Sequence, residues 1–311
     1  MTAGAAGAPT TLKVGVLPPV RAGVCARPEW IGPFARRAEE LGFESVVVVE
    51  HPLVVTGTAS RYPYAASGRM PLPDDCDVPD PLDLLAFLAG STSRIGLATG
   101  VLILPAHHPV VLAKRLATLD RLSGGRMRLC IGVGWMREEL EACGTEFSSR
   151  GRRTDESIDV LRALWSDAGA DGASHDGEFF HFTGAQSFPK PARPGGIPIH
   201  IGGHSPASIR RAARRGDGWQ PLGLAGEELA SALARLREET AEVGRDPDAI
   251  EITLGDLATK ATPERMAALA ASGADRVVLS CLAPELDDAL AELDDAARRL
   301  GIEPPADGGA W

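Results

Sequence analysis

The chain is short of several things that would define other classes of protein. Its five cysteines, Cys25, Cys76, Cys130, Cys143 and Cys281, are odd in number, widely spaced and never arranged as C-x-x-C. A reduced cytoplasm is the expected location. No apolar run approaches the ~20 residues needed to span a bilayer, so no membrane partner is expected. The opening MTAGAAGAPT has neither a basic region nor an apolar core and reads as a frayed tail, not a signal peptide. Thirty-two Lys and Arg face 42 Asp and Glu, for a formal net charge of -10, which argues against a nucleic-acid partner. No G-x-S-x-G elbow is present. No carboxylate or thiolate stands at ligand spacing beside the histidines, and no metal site is expected.

What the chain does have is alternation. Short apolar runs lie at LKVGVLP (12–18), SVVVVE (45–50), RIGLATGVLIL (94–104), RMRLCIGVG (126–134), IPIHIG (197–202), GWQPL (218–222), EITLGD (251–256) and RVVLS (276–280). Between them, apolar residues recur at helical spacing: Trp30, Phe34, Ala38 and Leu41; Leu112, Leu116 and Leu119; Ile158, Leu161 and Trp165; Leu286, Leu290, Leu293 and Leu300. Strands apolar on both faces and alternating with helices predict a parallel sheet covered by helices. Eight of each, with no linker or repeat in 311 residues, predict an α/β fold of one (β/α)8 TIM barrel, typically about 250 residues. The barrel is expected over 11–302, with tails at 1–10 and 303–311. Two stretches interrupt the alternation, a Pro-, Gly- and Asp-rich segment at 52–80 and a hairpin-like one at 168–196. They are read as insertions after strand two and between helix four and strand five, placed to close over a pocket, with two solvated excursions as the alternative.

Several positions carry chemistry. In IHIGGHSPAS, 199–208, a strand stops at Gly202-Gly203 and a helix opens with Ser205 at the N-cap and Pro206 at N1. Bare backbone N–H groups and a helix dipole would then favour a phosphate, although an ordinary tight turn has the same residues. GVGWMR, 132–137, begins like a dinucleotide fingerprint but has Arg137 at the third glycine position, so Gly132 and Gly134 are read instead as room for something flat. Gly100 lies inside a strongly apolar strand, as at a bulge or under a ring, or as a packing accommodation. His51 sits at the tip of the second strand, where barrel chemistry is done, and imidazole suits proton transfer near neutral pH. His107 and His108 are adjacent and cannot both face the pocket. His200 points into the barrel or against a helix.

These segments together resemble a known family. LAKRLATLDRLSGGRMRLCIGVGWMREELEACGTEFSSRGRRTDESIDVLRALW (112–165) looks like the signature block of the luciferase-like monooxygenases. SRYPYAASGRMPLP, SFPKPARP, IPIHIGGHSPASIRRAARRGDGWQPL and ATGVLILPAHHPVVLAKR resemble the same family, over about residues 12 to 280. The nearest likeness is to an actinobacterial branch of probable oxidoreductases that use the deazaflavin coenzyme F420. The resemblance implies a flavin or deazaflavin at the carboxyl ends of the strands. It implies a phosphate site at Gly202, Gly203, His204 and Ser205, and a non-proline cis bulge beneath the ring at Thr99, Gly100 and Val101. It also implies His51 near the ring, and dimerisation through the helices beside strands two and three. Members that use FMN often carry Tyr shortly after an Arg at the start of helix four. Arg150-Gly151-Arg152 has no Tyr, which favours F420 over FMN.

The function expected is an F420-dependent oxidoreductase moving hydride to or from a small organic substrate. His51 would handle the proton, and Arg61, Tyr62 and Tyr64 would contact the substrate. The alternatives are an FMN-dependent monooxygenase, and a non-catalytic cofactor-binding or sugar-phosphate barrel.

Overall fold

The computed structural model describes residues 12–304. All eight expected strands are present: β1 (Lys13–Leu17), β2 (Ser45–Val48), β3 (Gly96–Thr99) continued by β4 (Leu102–Ile103), β5 (Met127–Gly132), and, after a two-stranded antiparallel hairpin β6 (Ala173–Asp176) and β7 (His181–Ala185), β8 (Ile199–Gly202), β9 (Gly218–Gln220), β10 (Glu251–Leu257) and β11 (Arg276–Ser280). Parallel pairing runs β3-β2-β1-β11-β10-β9-β8-β5, and β3 pairs with β5 to close the ring. The helices are α1 (Pro28–Leu41), α2 (Pro81–Ser91), α3 (Pro109–Leu122), α4 (Arg137–Ala142), α5 (Arg150–Trp165), α6 (Pro206–Arg215), α7 (Gly226–Glu242), α8 (Pro263–Ala271) and α9 (Leu286–Leu300). The tail expected at 1–10 lies outside the described residues, as does most of 303–311. Glu303 still belongs to the packed body, because its carbonyl closes over Gly42 at the end of α1.

The strand periodicity of two sorts side chains into two cores. Outward-facing Val16, Val46, Leu97, Leu129 and Ile201 pack against the helices, and Phe34, Leu85 and Leu116 meet them, all wholly buried. Each such side chain contributes about 1.5–3 kcal/mol of burial. Inward-facing Val47, Ala98 and Val278, with Leu17, form a small apolar layer inside the ring.

Toward the amino end the interior is ionic. Arg276 reaches Glu44 at 3.0 Å and Glu251 at 3.0 Å, Arg128 reaches Glu44 at 2.9 Å, and Lys13 pairs with Glu251. Large charged side chains fit inside a barrel only where their neighbours are small. Gly15 stands where a Cβ would be 2.6 Å from Ser45 Oγ, and Gly218 where it would be 2.5 Å from the His200 ring. The sequence left the direction of His200 open; the structure puts it inside the barrel, 1% exposed.

The third strand carries the bulge. Ala98 pairs with Arg128 and Leu102 with Ile131, so three residues oppose two. The Gly100–Val101 peptide is cis. The interrupted ladder is mended by one side chain: Thr99 Oγ1 donates to the Cys130 carbonyl at 2.7 Å and accepts from the Cys130 N–H at 3.0 Å. Thr99 is thus the staple of the bulge and faces β5.

Candidate active site at the carboxyl rim

Two histidine–carboxylate pairs frame the rim. His51 follows β2 and its Nδ1 lies 3.0 Å from Glu139 Oε1 on α4. Glu139 is wholly buried, and among the described residues its Oε2 has no hydrogen-bond partner. Glu50, also buried, accepts from the Ile103 N–H at 2.5 Å and faces His107 Nε2 at 2.7 Å. This pair ties the tip of β2 to the strand beyond the bulge. His108 points elsewhere, its ring edge-on to Phe180 at 5.4 Å, so the two adjacent histidines do diverge. Burial raises the Cys143 thiol pKa, and the nearby Glu139 and Glu50 add to it.

The 52–80 insertion lies over the rim and is held by α4. Glu138 accepts from the Ala59 N–H at 2.9 Å, the Ser60 N–H at 3.3 Å and Ser60 Oγ at 2.7 Å. These bonds, the Ser60 hydroxyl first, hold the Glu138 carboxyl down to about 2. Tyr62, Tyr64, Trp135 and His204 then meet edge to face in a row: Trp135–Tyr62 at 5.3 Å, Tyr62–Tyr64 at 5.4 Å and Tyr64–His204 at 5.6 Å. His51 joins this row through Trp135 at 6.3 Å. Of the three residues assigned to substrate, Tyr62 and Tyr64 are at the rim. Arg61 is exposed and packs within its own loop, its Nε 2.7 Å from where a Cβ on Gly68 would stand.

The α6 corner has the N-cap that its sequence predicts. Ser205 Oγ accepts from the Ser208 N–H at 3.2 Å, and Gly203 turns the chain with φ +89°. The Gly203 N–H is already spent on the Gln220 carbonyl at 3.1 Å, and His204 Nδ1 donates to the Leu222 carbonyl at 2.7 Å. Among the described residues no acceptor meets the N–H groups of His204, Ser205 or Ala207. These three donors, together with the dipole of α6, are what an anion would find there. The Tyr64 hydroxyl is close by, 3.3 Å from where a Cβ on Gly203 would stand.

The glycines around the bulge leave no room for a side chain. Cβ atoms at Gly132 and Gly202 would lie 2.8 and 2.7 Å from the two methyls of Val101, which fills the slot between β5 and β8. A Cβ at Gly100 would strike Val47 Cγ1 at 2.4 Å, and one at Gly134, which turns at φ +74°, would lie 3.0 Å from Leu140. Packing of the bulge and of α4 sets these positions.

The 168–196 insertion departs from its expected place across the pocket. Glu156 of α5 accepts from the N–H groups of Glu178, Phe179 and Phe180, Arg152 of α5 pairs with Glu178, and Lys190 donates to the Leu164 carbonyl. Asp120 of α3 accepts from the Ala192 N–H. The segment is docked on the α3 and α5 helices. Glu50, Glu139 and Trp135 are rim residues to which the sequence reading gave no role, and His107 is the one of the two adjacent histidines that pairs with Glu50. Glu50 had one signal, a carboxylate at a strand tip; Glu139 had none.

A model of the luciferase-like monooxygenase family matches residues 12–305, and the chain belongs to that family. An uncharacterized protein of Mycobacterium tuberculosis (strain ATCC 25618 / H37Rv) is 32% identical over 273 residues, 86% of this chain and 92% of that protein. The F420-dependent glucose-6-phosphate dehydrogenase of Kribbella flavida is 29% identical over 238 residues, 73% of this chain and 65% of its own length. In fold, the monooxygenase RslO1 of Streptomyces bottropensis superposes with a TM-score of 0.74 at 21% identity, over 93% of this chain and 98% of that one. The chain is an enzyme of the luciferase-like oxidoreductase and monooxygenase class. Among the described residues, no helix is long and apolar enough to cross a membrane.

Proposed function

We propose that the protein is an F420-dependent oxidoreductase acting on a small organic substrate at the carboxyl rim. The observation that carries this reading is the placement of three unclaimed backbone donors, those of His204, Ser205 and Ala207, on the same rim as His51 and Trp135. They suit the phosphate of a flavin-type coenzyme, and the ring would lie toward the histidine. Two further points favour the deazaflavin: Arg150-Gly151-Arg152 lacks the Tyr usual with FMN, and the Kribbella flavida relative is named for F420.

The chemistry the coenzyme supplies is hydride transfer. The protein's own groups do the rest. The α6 terminus binds the anionic tail, and Trp135, Tyr62 and Tyr64 exclude water from the rim. With Nδ1 turned to Glu139, His51 has Nε2 left to hold or release the substrate proton.

Absorbance titration of the purified protein with F420 and with FMN tests this reading. Saturable binding of F420, with FMN much weaker and no oxygen uptake, is the expected result. Tight FMN binding with oxygen consumption would make the enzyme a monooxygenase. Binding of neither would leave a barrel whose anion site serves a sugar phosphate.

A further inference from the structure

We infer that Glu139 is the positioning residue for His51, fixing the ring as its Nδ1–H tautomer so that Nε2 is the nitrogen presented to substrate. The inference deepens the proposed function, resting on His51 as the proton-handling group. It starts from a carboxylate that the fold itself does not need. Glu139 is 0% exposed, and among the described residues its side chain makes one polar contact, the one to His51 at 3.0 Å, and leaves Oε2 without a donor. Burying a carboxylate oxygen without a partner is costly, and anchoring α4 would be better done by an apolar side chain. The neighbouring Glu138 already joins α4 to the 52–80 insertion through three donors.

The chemistry of the contact fixes its direction. An ionised carboxylate only accepts, so the hydrogen must lie on Nδ1, and the lone pair is left on Nε2. A free imidazole has no such constraint. When Nε2 takes a substrate proton, the pair becomes imidazolium–carboxylate and the new charge lies next to an opposite one. When the proton leaves, imidazole and carboxylate return, with atoms and charge conserved. The other titratable groups near the pair do not compete for this contact. Glu50 is bound to Ile103 and His107, and the Cys143 thiol is kept protonated by burial and by the two carboxylates. Trp135, the aromatic neighbour of His51, carries no titrating proton. Consecutive residues of α4 therefore hold the lid and the histidine, Glu138 outward and Glu139 inward.

The test uses 15N-histidine NMR of the full chain without coenzyme, with the His51 signals assigned by their loss in His51→Gln. The wild type should show the Nδ1–H tautomer. In Glu139→Leu the two ring nitrogens should exchange their shift positions as the ring turns to the Nε2–H form. In Glu139→Gln, whose amide oxygen still accepts, the Nδ1–H form should return. A wild-type ring in the Nε2–H form, or one unchanged in Glu139→Leu, overturns the inference; the wild-type spectrum alone decides it if the leucine variant does not fold. Because no coenzyme is present, failure of F420 to bind in a separate titration would count against the proposed function and not against this assignment.

Discussion

His200 occupies the space that a side chain at Gly218 would need: a Cβ there would lie 2.5 Å from both Cε1 and Nδ1 of the imidazole. The ring is buried, with Arg128, Arg276 and Glu251 around it. Gly218→Ala should therefore destabilise the protein by about 1–3 kcal/mol through overpacking. Denaturant unfolding of the variant measures this, and an unchanged midpoint would mean that the interior yields more easily than its contacts indicate.

The same cluster sets the response to acid. Burial opposes the charged form of Glu44 and of Glu251, but Arg128 and Arg276 outweigh it at Glu44, and Arg276 and Lys13 at Glu251, holding both at about 2. Burial, then Arg128 and Arg276, push His200 down to about 3. A depressed carboxylate contributes stability above its ordinary 4.5 and loses it as pH falls toward 2. A depressed histidine likewise loses stability as pH falls from 6.5 toward 3, because only the unfolded chain takes up the proton in that range. All three act in one direction. The melting temperature should be level just above neutrality, begin to fall near pH 6.5 as the solution is acidified and fall more steeply below 4.5. A melting temperature that stays flat or rises between pH 7 and pH 4 would contradict the assigned charges.

Thr99 makes a sharper mutational test than its neighbours. Replacing it by the isosteric Val leaves the Cys130 N–H buried without its hydroxyl partner and should cost about 1–3 kcal/mol. Thr99→Ser keeps the hydroxyl and should stay close to the wild type. Equal stability of the two variants would show that the bulge is held by packing alone.

The lid has a separate lock. Glu138→Gln weakens the carboxylate that Ala59 and Ser60 donate to, and Glu138→Ala removes it. Amide hydrogen exchange at those two residues should rise by about tenfold or more in the alanine variant. Thermal unfolding of the barrel should hardly change, since the contact lies at the surface of the rim. Exchange that is unaltered would place the lid's support elsewhere.

How much of this was legible in the chain differs from layer to layer. The eight strands could be read because both faces of each are buried, which leaves short apolar runs bounded by Gly, Pro and charge. The hidden ionic layer also left a mark. Arg126-Met-Arg128, Glu251 and Arg276 open their strands with charge, and alternation carries Arg128, Glu251 and Arg276 inward. A reading tuned to apolar runs takes such residues for strand ends. The Ser205 cap was legible because a cap is local, set by Ser205, Pro206 and Ser208. The pairing of His51 with Glu139 was not, because 88 residues separate them and only the closed ring brings α4 against the tip of β2. For the same reason the contact of Val101 with the backbone of Gly132 and Gly202 was not legible. The 168–196 insertion was misplaced because its course is fixed by Glu156 and Asp120, acids on two different helices.

The account depends most on the anion corner of α6. In amide NMR spectra of the isotope-labelled protein, saturation with F420 should move the N–H signals of His204, Ser205 and Ala207 downfield as they take up a phosphate oxygen, together with the indole signal of Trp135. Saturation that leaves those three amides in place, or that perturbs the amino-end cluster around Arg128 and Arg276 instead, would contradict it.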